Sequence, residues 1–233
     1  MSKPKSKGAG RSRTAEPLTP SRVTSEAVAM ADESGLEALS MRGLAERLGV
    51  EAMSLYNHVP NKESLIDAMV DHVTGEILLP RVDRAWRPQM RQRALSAVGV
   101  LMQHPWAAMP MLSRMNTGPC MLTYIDRTHG CLLAAGFSHR GADWARHLMD
   151  SHIYGFALQE LHFPIPSADF STTAAAFLPR IPAEHYPHFR GLAEQVISGK
   201  YDGRNSFKFG MEIILEGLAR KSKSVGLIQA FGR

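Results

Sequence analysis

Leu36-Glu37-Ala38-Leu39-Ser40-Met41-Arg42-Gly43-Leu44-Ala45-Glu46-Arg47-Leu48-Gly49-Val50, followed by Leu55-Tyr56-Asn57-His58-Val59, is the stretch that decides the fold. Ser40 is a helix N-cap, because its hydroxyl can accept one of the backbone donors left free at a helix start. Leu44, Ala45 and Leu48 then recur at three- and four-residue spacing, which lays one apolar face against a core. Gly49 ends that helix, and a third short helix is expected from about Glu51 to Asn57. Upstream, Thr19-Pro20 pairs an N-cap with proline at the first helical position. Val23, Ala27, Met30 and Ala31 follow on one face, and Gly35 stops the helix. Downstream, Pro60 breaks the chain and Asn61 caps a fourth helix carrying Leu65, Ala68, Met69, His72, Val73 and Ile77. Three short helices, the last two joined across a glycine, have the outline of a helix-turn-helix.

Beyond Pro80 the same periodicity predicts longer helices near 88–103, 119–135, 141–162, 187–199 and 205–221. No run alternates apolar and polar residues convincingly, so the fold class is all-α. Ala94 to Ser113 is 20 residues without Lys, Arg, Asp or Glu, which is long enough for a membrane span. Gln103-His104-Pro105 breaks it in the middle, so it reads as a buried helix ending near His104. Residues 163–187 hold Pro164, Pro166, Pro179, Pro182 and Pro187, which predicts a loop there and no long regular helix.

The chain has 233 residues, 44% hydrophobic and 21% charged, which describes an ordinary globular protein of one or two domains. Cys120 and Cys131 are too few for a disulfide framework or a four-cysteine zinc site. No secretion signal is recognisable, so a cytoplasmic location is expected. The net charge of +5 is unevenly spread. Residues 1–17 carry +4 and almost no large apolar side chain, so they read as a disordered basic tail. Residues 18–79 hold four basic and ten acidic side chains, a balance of −6, and residues 80–233 carry +7. These three segments are the expected tail, helix-turn-helix domain and larger helical domain.

The quoted residues, with Asn61-Lys62, resemble the N-terminal domain of the tetracycline-repressor (TetR) family over residues 19–78. Phe207-Lys208-Phe209-Gly210-Met211-Glu212-Ile213-Ile214-Leu215-Glu216-Gly217-Leu218 resembles the last helix of the tetracycline-repressor branch. His152-Ile153-Tyr154-Gly155-Phe156-Ala157-Leu158-Gln159-Glu160 is similar to its penultimate helix. The resemblance implies a homodimeric, ligand-responsive transcriptional regulator of a palindromic operator, with no cofactor and no enzymatic activity. In a helix-turn-helix the second helix enters the major groove. Here it offers Ala52, Met53, Ser54, Tyr56 and Asn57, with Leu55 turned to the core. Ala52 and Met53 suit a thymine methyl, and Ser54 a base or phosphate. Arg42 is the candidate for bidentate reading of guanine, and it could instead pair with Glu46 at i,i+4. The resemblance sets Tyr56, His58 and Lys62 on phosphates. The acidic balance of this segment is tolerable if Glu26, Glu33, Asp67 and Asp71 face away from DNA. The basic tail is an auxiliary that could follow the DNA backbone or enter the minor groove.

In the larger domain, His104, Trp106, Met109, Met115, Trp144, His147, Tyr154 and Phe177 are candidate effector-pocket residues, along with Met111 and Met149. Methionine-rich surroundings suit an adaptable, mostly apolar ligand. By the resemblance, the histidines that grip tetracycline and magnesium fall near Ile77 and Leu112, neither of which ligates a metal. Dimer contacts are expected from Gly155, Phe207, Gly210, Met211, Ile214, Gly217 and Leu218. Arg81, Arg84, Arg87, Arg91 and Arg93 read as a solvated helix surface paired with the acidic head. Two rival functions are a metal sensor using His and Cys ligands and a constitutive DNA-binding protein without effector. The pairs His185/His188, His147/His152 and Cys120/Cys131 match no structural zinc spacing. No nucleophile elbow, phosphate loop or HExxH motif is present.

Overall fold

The computed structural model describes residues 17–223, so most of the expected basic tail lies outside the described residues. Eleven α-helices make up the described chain, and among the described residues there is no strand. The first is α1 (Pro20–Ser34), where Thr19 Oγ1 accepts from the Arg22 amide at 3.2 Å and Gly35 ends the helix at φ 79°. After a 3-10 turn at Leu36–Ala38 comes α2 (Met41–Leu48), capped by Ser40 accepting from Gly43 N at 3.1 Å. Gly49, at φ 70°, supplies the left-handed residue between α2 and α3 (Ala52–Leu55). Helix α4 (Lys62–Thr74) begins where Asn61 Oδ1 accepts from Ser64 N at 2.8 Å. Val23, Ala27, Leu44, Leu55, Leu65 and Met69 are wholly buried where α1 packs on α2 and α4.

The larger domain comprises α5 (Trp86–Gln103), α6 (Ala108–Ser113), α7 (Pro119–Ala134), α8 (His139–His162), α9 (Phe170–Phe177), α10 (Pro187–Ile197) and α11 (Phe207–Lys223). Its core forms where α8 packs against α5, α7 and α11, around Met90, Leu101, Leu132, Met149, Ile153 and Leu215. Helix α5 ends at Gln103, as the Gln-His-Pro break predicts, and among the described residues no helix is long and apolar enough to cross a membrane.

Three features differ from the expectation. Helix α3 is four residues long, and Tyr56 to His58 form a turn instead of its last turn, with His58 N and Val59 N both bonding Leu55 O at 2.9 Å. A short helix, α6, follows the Gln103-His104-Pro105 break, and it accommodates Pro110 because that residue stands in its first turn, where no intrahelical donor is needed. The stretch 163–187 is not a plain loop: its five prolines bracket the alanine-rich helix α9 instead of interrupting it.

Candidate DNA-reading surface and effector chamber

The reading surface hangs on one buried residue. Leu55 is fully buried and fixes α3 against α2, which turns Met53 (73% exposed) outward. Tyr56 and Asn57 are exposed, while Ala52, Ser54, His58 and Lys62 are half-buried. Glu51 begins α3 without a side-chain cap bond. The Arg42 side chain is 88% exposed, and its Nε lies 3.0 Å from Glu46 Oε1. A pair that open contributes only about 0.3–0.5 kcal/mol, so little holds the guanidinium in place.

Many acidic side chains of this region are engaged within the protein. Arg47 binds Glu26 and Glu33, and its guanidinium holds the Glu33 carboxyl below its ordinary range. Glu63, Asp67 and Asp71 reach the larger domain. Arg114 donates to Asp67 Oδ1 at 2.7 Å and to Glu63 Oε2 at 2.6 Å. Asn116 Nδ2 donates to Asp67 O at 3.0 Å. Asp71 accepts from Met121 N at 2.9 Å and from Cys120 N at 3.3 Å, and so caps α7 from across the domain boundary. Gly118 allows that approach, since a Cβ there would stand 2.3 Å from the Asp71 carboxyl.

Between α6, α7 and α8 lies a chamber of about 390 Å³. Met111, Leu112, Met115, Met121 and Ile125 give it an apolar wall, and Tyr124, Arg146, His147, Asp150, Ser151 and Tyr154 a polar one. Behind the polar wall the fully buried Arg93 pairs with Asp150 and donates to Tyr124 Oη, while Arg146 Nη1 reaches Asp150 Oδ2 at 3.1 Å. One carboxylate thus serves two guanidinium groups, which satisfies charges that burial would otherwise make costly. Burial pushes the Tyr124 phenol up to about 12 and the Tyr154 phenol higher still, so both remain neutral hydrogen-bonding groups.

Of the expected pocket residues, Met115, His147, Tyr154 and Met111 line this chamber. His104 and Trp106 do not: both bond to Asp32, at the junction with α1. Phe177 lines a second, aromatic groove of about 490 Å³ between α9 and α10. Met109 and Trp144 are about half exposed, with Arg140 stacked 4.3 Å over the Trp144 ring, and Met149 is in the core. The arginines after the head do not pair with it either. Arg81 bonds Asp83, Arg91 bonds Glu212, and Arg93 is core, because each has an acid within its own domain. Arg114, Tyr124 and Asp150 were not foreseen. A usable signal was that Arg93 and Arg114 bound the uncharged run 94–113, where an isolated charge has few solvated roles.

The last helix presents two apolar stripes. Phe207 and Met211 are buried against α8, with Phe207 stacked on His152 at 4.8 Å. Gly210 serves that same intrachain contact, since a Cβ there would meet the His152 ring at 2.5 Å. Phe207 and Met211 are therefore core residues, with Gly210 half-buried beside them, as one face of α11 must close its own domain. The outward stripe holds Phe209 (69% exposed), Ile213 and the open Gly217, with Ile214 and Leu218 half-buried at its edge. On α8, Leu148 and Gly155 are likewise exposed.

Comparison with known proteins accounts for both halves. Residues 23–69 match the bacterial regulatory proteins, tetR family, and residues 79–222 match the tetracyclin repressor-like C-terminal domain. The chain is 31% identical over 211 residues to the HTH-type transcriptional repressor DrrR1 of Streptomyces coeruleorubidus, covering 86% of this chain and 77% of that one. It is 26% identical over 200 residues to the tetracycline repressor protein class D of Escherichia coli, covering 84% and 86%. Among solved structures, ActR of Streptomyces coelicolor in complex with actinorhodin superposes with a TM-score of 0.75 at 29% identity, covering 88% of this chain and 99% of that one. With a capped helix-turn-helix at one end and a tetracycline-repressor-type helical domain over the rest, the chain belongs to the TetR family of DNA-binding transcriptional regulators and is not an enzyme.

Proposed function

We propose that this regulator is a homodimeric repressor that holds a palindromic operator and lets go when a mostly apolar small molecule enters the chamber between α6, α7 and α8. One observation carries the reading. The segment from Arg114 to Met121 lines the chamber through Arg114, Met115, Asn116 and Met121, and grips the acidic face of α4 through Arg114, Asn116 and the amide of Met121. A ligand that rearranges this segment must also move α4, which begins directly after the reading turn. Operator half-sites lie about 34–36 Å apart or at multiples of that, so a small shift of both heads costs affinity at both sites together. The ligand's leverage equals its preference for the released arrangement.

On DNA, Arg42 reads a guanine, Ala52 and Met53 meet thymine methyls, and Ser54 and Asn57 bond base edges or backbone. Tyr56, His58 and Lys62 hold phosphates, helped by the positive end of α4. The second copy docks on the outward face of α8 and α11, where Leu148, Gly155, Phe209, Ile213 and Gly217 are open to it. The ligand's apolar body rests on the methionine wall, and its polar edge meets Tyr154 and His147. ActR has been crystallised with actinorhodin and with (S)-DNPA, and relatives named tetracycline repressors exist. Here Leu112 lines the chamber and Ile77 is buried beyond α4, so chelated tetracycline is not the ligand we infer.

The test is a thermal-shift screen of the full chain with apolar aromatic compounds, followed by gel shifts on the DNA flanking its own coding region. A compound that raises the melting midpoint and releases that DNA supports the reading. Binders that leave the DNA bound, or DNA that never binds, reject it.

A further inference from the structure

The groove between α9 and α10 belongs to neither the reading surface nor the chamber. The rings of Phe163, Phe170, Phe177, Phe189 and Tyr201 wall about 490 Å³ of space there. That exceeds the chamber and lies within the size range of small-molecule sites. The fold holds these walls in place. Phe163 and Phe170 pack edge to face with ring centres 5.6 Å apart. The Gly203 backbone closes on Phe170: its φ is 76°, and a Cβ there would stand 2.8 Å from the ring. The Tyr201 hydroxyl is satisfied by Arg204 O at 2.8 Å.

One charge interrupts the apolar lining. Arg180 is the single charged side chain among the lining residues, and no Asp or Glu stands with it. Its guanidinium carbon lies 5.3 Å from the centre of the Phe177 ring, and it joins no ion pair among the described residues. The neighbouring cation differs. Arg190 pairs with Glu194 at 2.9 Å and donates to Leu178 O at 3.4 Å and to Ile181 O at 3.0 Å. It thereby pins the 3-10 turn Leu178–Arg180 to α10 and fixes where Arg180 leaves the backbone. A guanidinium offers its planar fork of N–H donors to a carboxylate or sulfonate. Phenylalanine walls suit a flat ring that can stack on their faces or meet their edges.

We propose that this groove is a second small-molecule site, built for a flat aromatic anion whose rings lie among the phenylalanines and whose acid group meets Arg180. The lone positive charge selects the sign: a cationic ligand is repelled, and a neutral one gains nothing from the fork. The inference stands apart from the chamber and from the operator reading, since the two cavities share no lining residue.

The experiment is a fluorescence titration of the full chain with anilinonaphthalene sulfonate, an aromatic anion that brightens on leaving water. Phenylnaphthylamine, the same rings without the sulfonate, is the neutral control. Arg180→Gln should weaken the sulfonate probe about tenfold, the size of one hydrogen bond to a charged group, and leave the neutral probe unchanged. Arg180 is exposed, so this substitution leaves the fold intact. Ala174→Trp sets an indole in the groove from α9 and should abolish the Arg180-dependent binding. Ser151→Trp crowds the chamber instead and should preserve it. Equal affinity of the sulfonate probe in wild type and Arg180→Gln would overturn the proposal. Equal weakening of both probes by Arg180→Gln, or loss of the Arg180-dependent binding in Ser151→Trp, would do so as well. If the sulfonate probe ignores the groove while Ala174→Trp splits the dimer in size-exclusion chromatography, a second copy covers this face and no small-molecule site is there.

Discussion

Arg42 and Arg93 carry the same charge in two differently built regions. Arg42 lies on the reading head with its side chain 88% exposed, held by one acid a turn away. Arg93 is fully buried in the larger domain, between Tyr124 and Asp150. The first pair is cheap to break and leaves its arginine available. The second is costly to break, because one partner without the other is an uncompensated charge in a medium of low polarity. The head leaves Arg42 loosely paired, while Arg47 and several of its acids are spent on contacts within the protein. The larger domain encloses its charge to shape a chamber wall.

The hardest way to break this contrast is Asp150→Ala. It leaves Arg93 and Arg146 without their shared carboxylate and should cost about 3–5 kcal/mol in urea unfolding. A cost below about 1 kcal/mol would mean that water or a rearranged acid already compensates Arg93. Arg42→Ala should do the reverse. Unfolding stays within about 0.5 kcal/mol of wild type and the dimer persists, while specific DNA binding in a gel shift weakens by about 1–3 kcal/mol. Full retained affinity would remove Arg42 from the reading set. Arg114→Ala joins the two regions. We expect ligands found by thermal shift still to bind, and DNA release to need about tenfold more of them. Unchanged release would place the coupling elsewhere than the grip on Glu63 and Asp67.

The smallest effect is alkaline. The Tyr124 phenol is pushed up to about 12 against an ordinary value of 10.0, and Tyr154 is raised further. Both stay protonated in the fold, so their contribution is complete below pH 10 and is lost as pH rises toward 12. An ultraviolet titration should show two late phenols that ionise only as the protein unfolds. Early ionisation of all five tyrosines would mean the chamber wall is wetter than its geometry implies.

What the chain made legible was local chemistry. Thr19, Ser40 and Asn61 each cap the helix that follows by accepting from an amide three residues on, and Gly35 and Gly49 end the first two of those helices, so nearby residues settle these features. The outward placement of Met53, Tyr56 and Asn57 followed, because Leu55 anchors a short helix whose other side must face out. Long-range pairing was not legible. Nothing near His104 says that its partner is Asp32, 72 residues earlier, so a residue of pocket-like type was assigned to the pocket. The same holds for α11, where Phe207/Met211 and Phe209/Ile213 both recur at helical spacing. Only the packing against α8 decides which stripe stays inside. Helix α9 was missed because prolines on either side of an alanine run weigh the same in composition as prolines within it.

The cap of α7 has a consequence for engineering. Gly118 at the N-cap offers no side chain, and the acceptor for the first amides of α7 is Asp71, supplied by another domain. The head is therefore not a detachable module. A chimera that joins a foreign head to this larger domain should have a frayed α7 unless the graft carries an acid at the place of Asp71. Grafts whose fourth helix keeps the Glu63–Asp67–Asp71 row are the ones to build first.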